Sequence, residues 1–239
     1  MLLISDLHLE AGRPDISDAL VGFLRHKAVS APRLYILGDL FEVWLGDDTS
    51  DPLAERVAAE FRRLTSQGVE LFIMHGNRDF LLGADYASRC GASLLTEPAV
   101  LTVGNRRIAL LHGDVLCTRD TEYLQFRKLV RDPAWQQQFL AQPLAQRQAF
   151  ARQARQQSQQ TTSSTAAEIM DVTPAAVTDL FQALKVDVII HGHTHRPAVH
   201  DCGPQSQRVV LGDWDKVGWY GEIGPQGDVS LHQFPLTRN

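Results

Sequence analysis

The sequence predicts an α/β fold, a mixed sandwich in which parallel strands come first and hairpins later. Three observations predict it. Short apolar runs that end in polar clusters recur along the 239 residues, as strands buried on both faces do. Helical patterns separate the early runs, as βαβ units require. Two later stretches have the pattern of hairpins.

The predicted strands are the runs LLIS 2–5, LYIL 34–37, ELFIM 70–74, IALL 108–111, VDVII 186–190 and RVVL 208–211. Helices are predicted at roughly 15–27 and 51–67, between the early strands. The stretch VLTVGNRRIALL predicts a hairpin joined at Gly104-Asn105, and GWYGEIGPQGDVSLHQF predicts another with its turn at GPQG. DVTPAAVTDLFQAL predicts a helix with Thr173 as N-cap and Pro174 in the first turn.

Residues 118–165 break this rhythm and predict a helical cap inserted into a single domain of residues 1–239. Apolar residues recur there at roughly helical spacing: Leu124, Leu129, Trp135, Phe139, Leu140 and Leu144. The polar stretch QQSQQTTSST, 156–165, is interpreted as a loop or a frayed helix. Most of the apolar residues must pack the insertion onto the core, yet insertions of this length are often functional.

The composition narrows the class of protein. A hydrophobic fraction of 44% over this length suits one domain, and a net charge of −5 argues against a general nucleic-acid binder. Seven basic residues against three acidic ones give residues 119–165 about +4, which leaves about −9 on the remainder. Three widely spaced cysteines indicate a reducing compartment. The start MLLISDLHLE lacks the pattern of a signal peptide, so we expect a cytoplasmic protein.

Metal-ligand residues follow five of the strand ends: Asp6 and His8, Asp39, Asn77, His112, and His193 with His195. Asp6 and His8 lie two apart, as do His193 and His195, so on an extended strand each pair points the same way. Sites in α/β sheets form beyond the carboxyl ends of strands. A single histidine or Gly-Asp pair in such a place is more often structural. Five together predict a site of mixed N and O ligands suited to Mn²⁺, Fe²⁺ or Zn²⁺.

The order Asp-x-His, Gly-Asp, Gly-Asn, His, Gly-His-x-His resembles the calcineurin-like metallophosphoesterases. The resemblance implies a four-layer αββα sandwich with two metal ions. It implies that one ion is held by Asp6, His8, Asp39 and His195, and the other by Asp39, Asn77, His112 and His193. Asp39 would then bridge ions about 3.5–4 Å apart.

Two positions depart from the common pattern of these phosphoesterases. In MHGNRD, residues 74–79, Arg78 stands where many members have a histidine, and Glu42 stands where many have an aspartate. An arginine does not act as a general acid near neutral pH, but its planar fork binds phosphate oxygens bidentately. We therefore interpret Asn77 as a neutral metal ligand and Arg78 as a catalytic residue that neutralises the phosphoryl group. Asp79 is expected to orient one of the two.

The motifs LLISDLHLE, LYILGDLFE, MHGNRDFLLG, LLHGDVLCTRD, IMDVTP, VIIHGHTHRP and VLGDWD closely resemble the family of UDP-2,3-diacylglucosamine hydrolases of lipid A biosynthesis. The resemblance runs end to end. It implies water attack on the α-phosphorus of UDP-2,3-diacylglucosamine, giving UMP and 2,3-diacylglucosamine 1-phosphate (lipid X). It also implies two Mn²⁺ ions per chain and peripheral attachment to the cytoplasmic face of the inner membrane. We expect a monomer.

The same resemblance implies a set of substrate contacts, namely Asn77, Arg78, Asp120, Ser158, Thr162, Thr165 and His193. Where Thr165 stands, the family commonly has a lysine, so one phosphate or sugar contact is either missing or supplied by Arg152 or Arg155. Two acyl chains need an apolar groove, which could be lined by Leu124, Phe126, Leu129, Trp135 and Phe139. The positive charge of the cap would favour an anionic membrane surface, although a solvated basic face explains it equally well.

Two other functions stay open at this stage. One is a metallophosphoesterase that acts on other nucleotides, phosphoproteins or nucleic-acid ends. The acidic core argues against nucleic acid, and Arg78 argues against the branches that depend on a histidine. The other is a binding scaffold without catalysis, which degenerate ligands would indicate. All seven predicted ligands are present.

Overall fold

Two β-sheets pack face to face, and helices cover their outer faces. The computed structural model describes residues 1–49, 51–164, 169 and 171–236. Its strands are β1 (Leu2–Ile4), β2 (Arg33–Leu37), β3 (Glu70–Met74), β4 (Ala92–Leu95), β5 (Ala99–Val103), β6 (Arg106–Leu110), β7 (Val188–His191), β8 (Ala198–Gly203), β9 (Ser206–Val210), β10 (Val217–Ile223) and β11 (Val229–Pro235). Its α-helices are α1 (Pro14–His26), α2 (Pro52–Ser66), α3 (Ala84–Cys90), α4 (Thr121–Val130), α5 (Pro133–Leu140), α6 (Leu144–Ser164) and α7 (Pro174–Leu184).

Both sheets mix parallel strands with a hairpin at an edge. The first sheet has the order β11-β10-β1-β2-β3-β4, in which β1 to β4 are parallel and β10 runs antiparallel to β1. The second sheet has the order β5-β6-β7-β9-β8, with β6, β7 and β9 parallel and hairpins at both edges. The carboxyl ends of the parallel strands lie on one side of the sandwich, where the predicted ligands follow them. This arrangement brings the ligands together.

Three apolar clusters stabilise the layers. Side chains of both sheets, such as Leu3, Tyr35 and Ile190, fill the space between them. The outer face of the first sheet packs against α1, α2 and α3. The outer face of the second sheet packs against α7 through Ile189 and Val177. The layers are therefore helix, sheet, sheet and helix, and the predicted fold class is confirmed.

The helices begin where the sequence places start signals. Asp51 caps α2, its side chain accepting a hydrogen bond from the backbone N–H of Leu53 at 2.9 Å, and Pro52 occupies the first turn. Thr173 stands at the N-cap of α7 as predicted, but its hydroxyl does not cap the helix. That hydroxyl lies 2.7 Å from the hydroxyl of Thr118 and anchors the start of α7 to the segment before the cap.

Three helices, α4 to α6, occupy the stretch predicted as a cap. Trp135 stacks on Phe139, Phe150 meets Phe139 edge to face, and these rings pack with Phe80 against the apolar cluster beneath α1, α2 and α3. Phe139 is 4% exposed and anchors the cap, so it does not line an open groove as expected. Trp135 is half-buried, and its place in a groove stays a prediction. Leu129, by contrast, is 51% exposed.

Most predicted strands and helices agree with the structure to within two or three residues. The prediction missed α3, β4 and β8. Both strands are edge strands with a largely exposed or polar sequence, so they lack the apolar run that marks a central strand. No helix among the described residues is long and apolar enough to cross a membrane.

Candidate metal centre

The candidate ligands follow the carboxyl ends of strands in both sheets. Five of them have φ values between 49° and 66°: Asp6, His8, Asp39, His193 and His195. This left-handed region is strained for residues other than glycine and persists where the surroundings enforce it. The explanation that paired ligands point together on an extended strand is therefore wrong, because the backbone turns sharply at each of these residues. The side chains converge for that reason.

Backbone hydrogen bonds hold the ligand-bearing loops against one another. The N–H of Asp6 donates to the carbonyl of Gly38 at 3.1 Å, and that of His8 donates to the carbonyl of Asp39 at 3.0 Å. A Cβ on Gly76 would overlap the Asp39 carboxylate, so the loop after β3 requires glycine there. These contacts fix the spacing of the ligands before any ion binds.

Asp79 links the loop that follows β2 to the loop that follows β3. Its buried carboxylate accepts hydrogen bonds from the backbone N–H of Leu40 at 2.8 Å and of Gly76 at 2.7 Å. The expectation that it orients the side chain of Asn77 or Arg78 is thus corrected. It joins the two loops through their backbones.

Asp6, His8 and His195 form one group of converging atoms, called here the outer group. The Nε2 atoms of His8 and His195 lie 3.3 Å apart, and Nε2 of His195 lies 3.3 Å from Oδ1 of Asp6. One ligand atom from each of the three residues lies within 4.8 Å of the others. Two imidazole nitrogens and a carboxylate oxygen at these distances can surround one cation.

Asn77, His112 and His193 form the inner group. Oδ1 of Asn77 lies 2.9 Å from Nε2 of His112 and 2.9 Å from Nδ1 of His193. Oδ2 of Asp39 lies 3.8 Å from Nε2 of His112 and 3.8 Å from Nε2 of His8, so it stands between the two groups. A second set of close ligand atoms, from Asp6, Asp39 and His112, spans the boundary.

The buried carboxylates of the centre require positive charge beside them. Asp6 and Asp39 are buried, and among the described residues neither carboxylate forms an ion pair with a lysine or arginine side chain. Burial raises the pKa of Asp39 to about 6. Burial alone would lower the pKa of His112, but Asp39 and Asp6 raise it to about 9. Without an ion, protonated imidazoles supply the positive charge beside the buried carboxylates. A bound metal ion can replace those protons.

The donor set fits divalent ions. The ring nitrogen of His112 that faces away from the centre, Nδ1, donates to the carbonyl of Leu37 at 2.9 Å, which directs Nε2 into the centre as a ligand once it has lost its proton. Burial, with the nearby His112, lowers the pKa of His193 to about 3, so this imidazole is neutral and can bind a metal. Oxygen and nitrogen ligands in this mixture admit Mn²⁺, Fe²⁺ and Zn²⁺ alike.

Arg78 lies at the rim of the centre. Its backbone N–H donates to Oδ1 of Asp39 at 2.8 Å, while its guanidinium approaches Glu42 only to 4.0 Å. The Nε atom of Arg78 is buried and has no hydrogen-bond partner among the described residues. From α6, Arg155 contacts the same Glu42 carboxylate at 2.5 Å. Two guanidinium groups therefore flank the rim.

Helix α4 of the cap contacts the centre through Tyr123, which sequence reasoning missed. The Tyr123 ring stacks on His193, with centroids 6.1 Å apart and planes 26° from parallel. Its hydroxyl donates to the buried carboxylate of Asp114, which also accepts from Nε of Arg127 at 2.7 Å. Tyr123 follows the HGDVLCTRD motif by three residues, and this proximity was the available signal.

The remaining predicted substrate contacts lie on the cap. Asp120 is the N-cap of α4, and its side chain accepts from the backbone N–H of Tyr123 at 3.0 Å. Ser158 and Thr162 lie on the last part of α6, where the backbone alone is described, and Thr165 lies outside the described residues. Of the predicted contacts, Asn77, Arg78 and His193 are thus brought to the centre, whereas Asp120 is engaged as a helix cap.

Known proteins resemble this chain in sequence over most of its length. The model of the calcineurin-like phosphoesterase family matches residues 1–197. A protein of Cellvibrio japonicus named UDP-2,3-diacylglucosamine hydrolase is 52% identical, covering 91% of this chain and 92% of its own length. One of the same name from Marinobacter nauticus is 48% identical over 99% and 98% of the two chains. Among solved structures, a Vps29 double mutant from Entamoeba histolytica has 15% identity and a TM-score of 0.47, covering 98% of this chain and 99% of its own.

Proposed function

The chain belongs to the calcineurin-like phosphoesterase family, and from this premise we propose that it hydrolyses the pyrophosphate of UDP-2,3-diacylglucosamine in lipid A biosynthesis. The observation that carries the proposal is the full-length similarity to relatives of that name, which includes the cap as well as the core. A catalytic core alone would support any phosphoesterase. The cap is the part that suits a lipid.

We propose that two divalent ions, Mn²⁺ in the working enzyme, are held by the outer and inner groups with Asp39 between them. Bound there, they would supply positive charge to the phosphate oxygens and lower the pKa of a water molecule. Asn77 contributes a neutral oxygen, which keeps the net charge of the centre low enough to accept a pyrophosphate.

Arg78 is proposed to bind the phosphoryl oxygens. Its guanidinium lies at the rim, and its buried Nε donor has no hydrogen-bond partner in the part of the chain that the structure describes. Such a donor stabilises the negative charge that develops during phosphoryl transfer. Because water attacks the α-phosphorus, UMP takes the new oxygen and 2,3-diacylglucosamine 1-phosphate leaves. A phosphate leaving group needs little protonation, which agrees with an arginine in the place of a histidine general acid.

The cap is proposed to hold the lipid half of the substrate and to bring the protein to the cytoplasmic face of the inner membrane as a peripheral monomer. Leu129 is exposed on α4, and Leu140 and Leu144 are exposed at the junction of α5 and α6. The surplus of basic residues in 119–165 favours anionic headgroups, each contributing about 1 kcal/mol near the surface. Substrate contacts at Asp120, Ser158, Thr162 and Thr165 belong to the same proposal.

The experiment is to measure UMP release from UDP-2,3-diacylglucosamine with Mn²⁺ and with chelator, beside the generic diester bis-p-nitrophenyl phosphate. Fast, Mn²⁺-dependent release from the lipid nucleotide supports the proposal. Cleavage of the generic ester alone would keep the metal centre and reject the substrate. Activity on neither would favour a binding scaffold.

A further inference from the structure

The histidines of the outer group differ from His112 of the inner group in what their second ring nitrogen contacts. Nδ1 of His8 lies 2.7 Å from Oε2 of Glu42, and Nδ1 of His195 lies 3.5 Å from Oδ2 of Asp213. In the inner group, Nδ1 of His112 faces the neutral carbonyl of Leu37. Carboxylates therefore lie beside the second nitrogens of both outer imidazoles, and a neutral backbone carbonyl lies beside that of His112.

The exposure of these side chains gives a reason for the difference. The side chains of His8 and His195 are 21% and 39% exposed, whereas that of His112 is fully buried. Packing alone can hold a buried ring, but a ring open to solvent can rotate away from the ion. A carboxylate beside the second nitrogen orients such a ring and makes its other nitrogen a better ligand, through a hydrogen bond from His8 to Glu42 and through charge attraction between His195 and Asp213.

Asp213 is itself held in place by the core. The next residue, Trp214, donates its backbone N–H to the carbonyl of Asp6 at 3.1 Å, and its buried indole donates to the carbonyl of Trp219 at 2.8 Å. Two residues before Asp213, the N–H of Leu211 donates to the carbonyl of His191 at 2.7 Å. The carboxylate is thus presented to His195 from a fixed segment after β9.

Glu42 is positioned in a comparable way. Its backbone N–H donates to the carbonyl of Leu9 at 3.2 Å, which ties the residue to the loop that carries His8. Both carboxylates therefore belong to segments fixed against the ligand loops, and neither is one of the seven predicted ligands.

We infer that Glu42 and Asp213 are positioning residues that orient His8 and His195 and selectively strengthen ion binding at the outer group. The inference rests on the proposed function only in assuming that ions bind at both groups. It predicts that removing either carboxylate weakens one ion per chain and leaves the other unchanged.

The test is a titration of chelator-stripped protein with Mn²⁺, in which electron paramagnetic resonance follows the free ion. Asp213→Asn should weaken one of two bound ions by about 10- to 100-fold, and Glu42→Gln should do the same to the same ion. The matched control is Asp215→Asn, two residues further on, whose carboxylate contacts Arg13 at 2.8 Å instead of a candidate ligand. This control should bind both ions as the unaltered protein does.

Two results would overturn the inference. One is that Asp213→Asn and Glu42→Gln bind both ions with unaltered affinity, and the other is that both ions weaken equally. Thermal melting in chelator checks that the variants are folded. An unaltered protein that binds no ion would instead reject the proposed metal centre, so the two failures are distinguishable.

Discussion

The Nε2 atoms of His8 and His195 lie 3.3 Å apart although 187 positions separate the two residues in the chain. Two protonated imidazoles would repel each other on such an approach. The loops after β1 and β7 enforce it through left-handed backbone at both residues. This geometry lowers the stability of the ion-free protein, as is typical of sites that bind a ligand. The first prediction follows from this.

Asp39→Asn should abolish turnover and yet raise the stability of the ion-free protein. Burial raises the pKa of Asp39 to about 6 from its ordinary value of 3.8. The raised pKa means that the folded protein favours the protonated carboxyl. The stability that this contributes is fully present below pH 3.8 and is lost as the pH rises through about 6. Above that pH the buried charge destabilises by at most about 3 kcal/mol, which asparagine relieves. Urea unfolding in chelator above pH 6 measures the gain.

The control for Asp39 is Asp18→Asn, since Asp18 is an exposed partner of Arg56 far from the centre. It should change neither turnover nor stability appreciably. Normal rates in Asp39→Asn, or in His195→Ala, would contradict the proposed two-ion centre.

Arg78→Ala should lower kcat by about 100- to 1,000-fold without loss of bound metal. Only the backbone of Arg78 contacts Asp39, so the ligand geometry survives the removal of the guanidinium. Arg78→Lys should restore little, because an ammonium lacks the planar fork. Metal analysis of the purified variant, alongside its kinetics, decides the point. Loss of metal together with rate would mean that Arg78 holds the centre and does not act on the phosphoryl group.

The positions of the ligands could be predicted because the signal is local. Each of Asp39, Asn77 and His112 follows a buried strand, and parallel strands bring their ends together. The reason for convergence of Asp6 with His8 could not be predicted, because left-handed φ at non-glycine residues is imposed by contacts from other loops. The Leu-Gly-Asp tripeptide that ends β2 recurs after β9, and this repeat was the available signal for Asp213.

The contacts of the cap with the core were beyond sequence reasoning. Arg147, 3% exposed, reaches across 102 positions to the carbonyl of Leu45 at 2.6 Å and also contacts Asp48. Arg127 reaches back to Asp114 and to Glu97. Composition gave the charge of these arginines but not their partners, so a basic surface and an anchored helix were indistinguishable. The structure shows that two of the basic residues, Arg127 and Arg147, anchor the cap to the core.

Arg127→Ala should destabilise the protein by about 3 kcal/mol. The guanidinium contacts Asp114 at 2.7 Å and Glu97 at 3.1 Å, and both carboxylates are largely buried. Its removal takes away the one guanidinium among the described residues that the structure shows in contact with both carboxylates. Adding Glu97→Gln should recover part of the loss because one charge is then gone. Lys128→Ala, on the exposed face of the same helix, is the control in urea unfolding. Equal stability of the two alanine variants would show that the buried network contributes nothing.

His191 should make the ion-free protein less stable in acid. Burial, with the nearby Arg208, lowers the pKa of this fully buried ring to about 4 from 6.5. Its Nε2 accepts from Arg208 at 3.1 Å, which requires the neutral ring. The stability that it contributes is present above pH 6.5 and is lost as the pH falls towards about 4, up to about 3 kcal/mol.

The measurement for His191 is urea unfolding in chelator across that pH window, for the unaltered protein and for His191→Gln. Glutamine can accept from Arg208 but does not titrate, so the variant should lose less stability on acidification. Identical pH dependence in the two proteins would assign the acid sensitivity to other groups.

Leu124→Arg should raise KM for UDP-2,3-diacylglucosamine by at least about tenfold and leave the cleavage of bis-p-nitrophenyl phosphate unchanged. Leu124 is half-buried on α4 and follows Tyr123, whose ring stacks on His193, so this helix lies beside the metal centre. A charge there would oppose an acyl chain but would not reach a small diester. Leu94→Arg, at an exposed leucine on the edge strand β4, is the matched control and should change neither reaction. An unchanged KM in Leu124→Arg would place the acyl chains elsewhere and leave the metal chemistry intact.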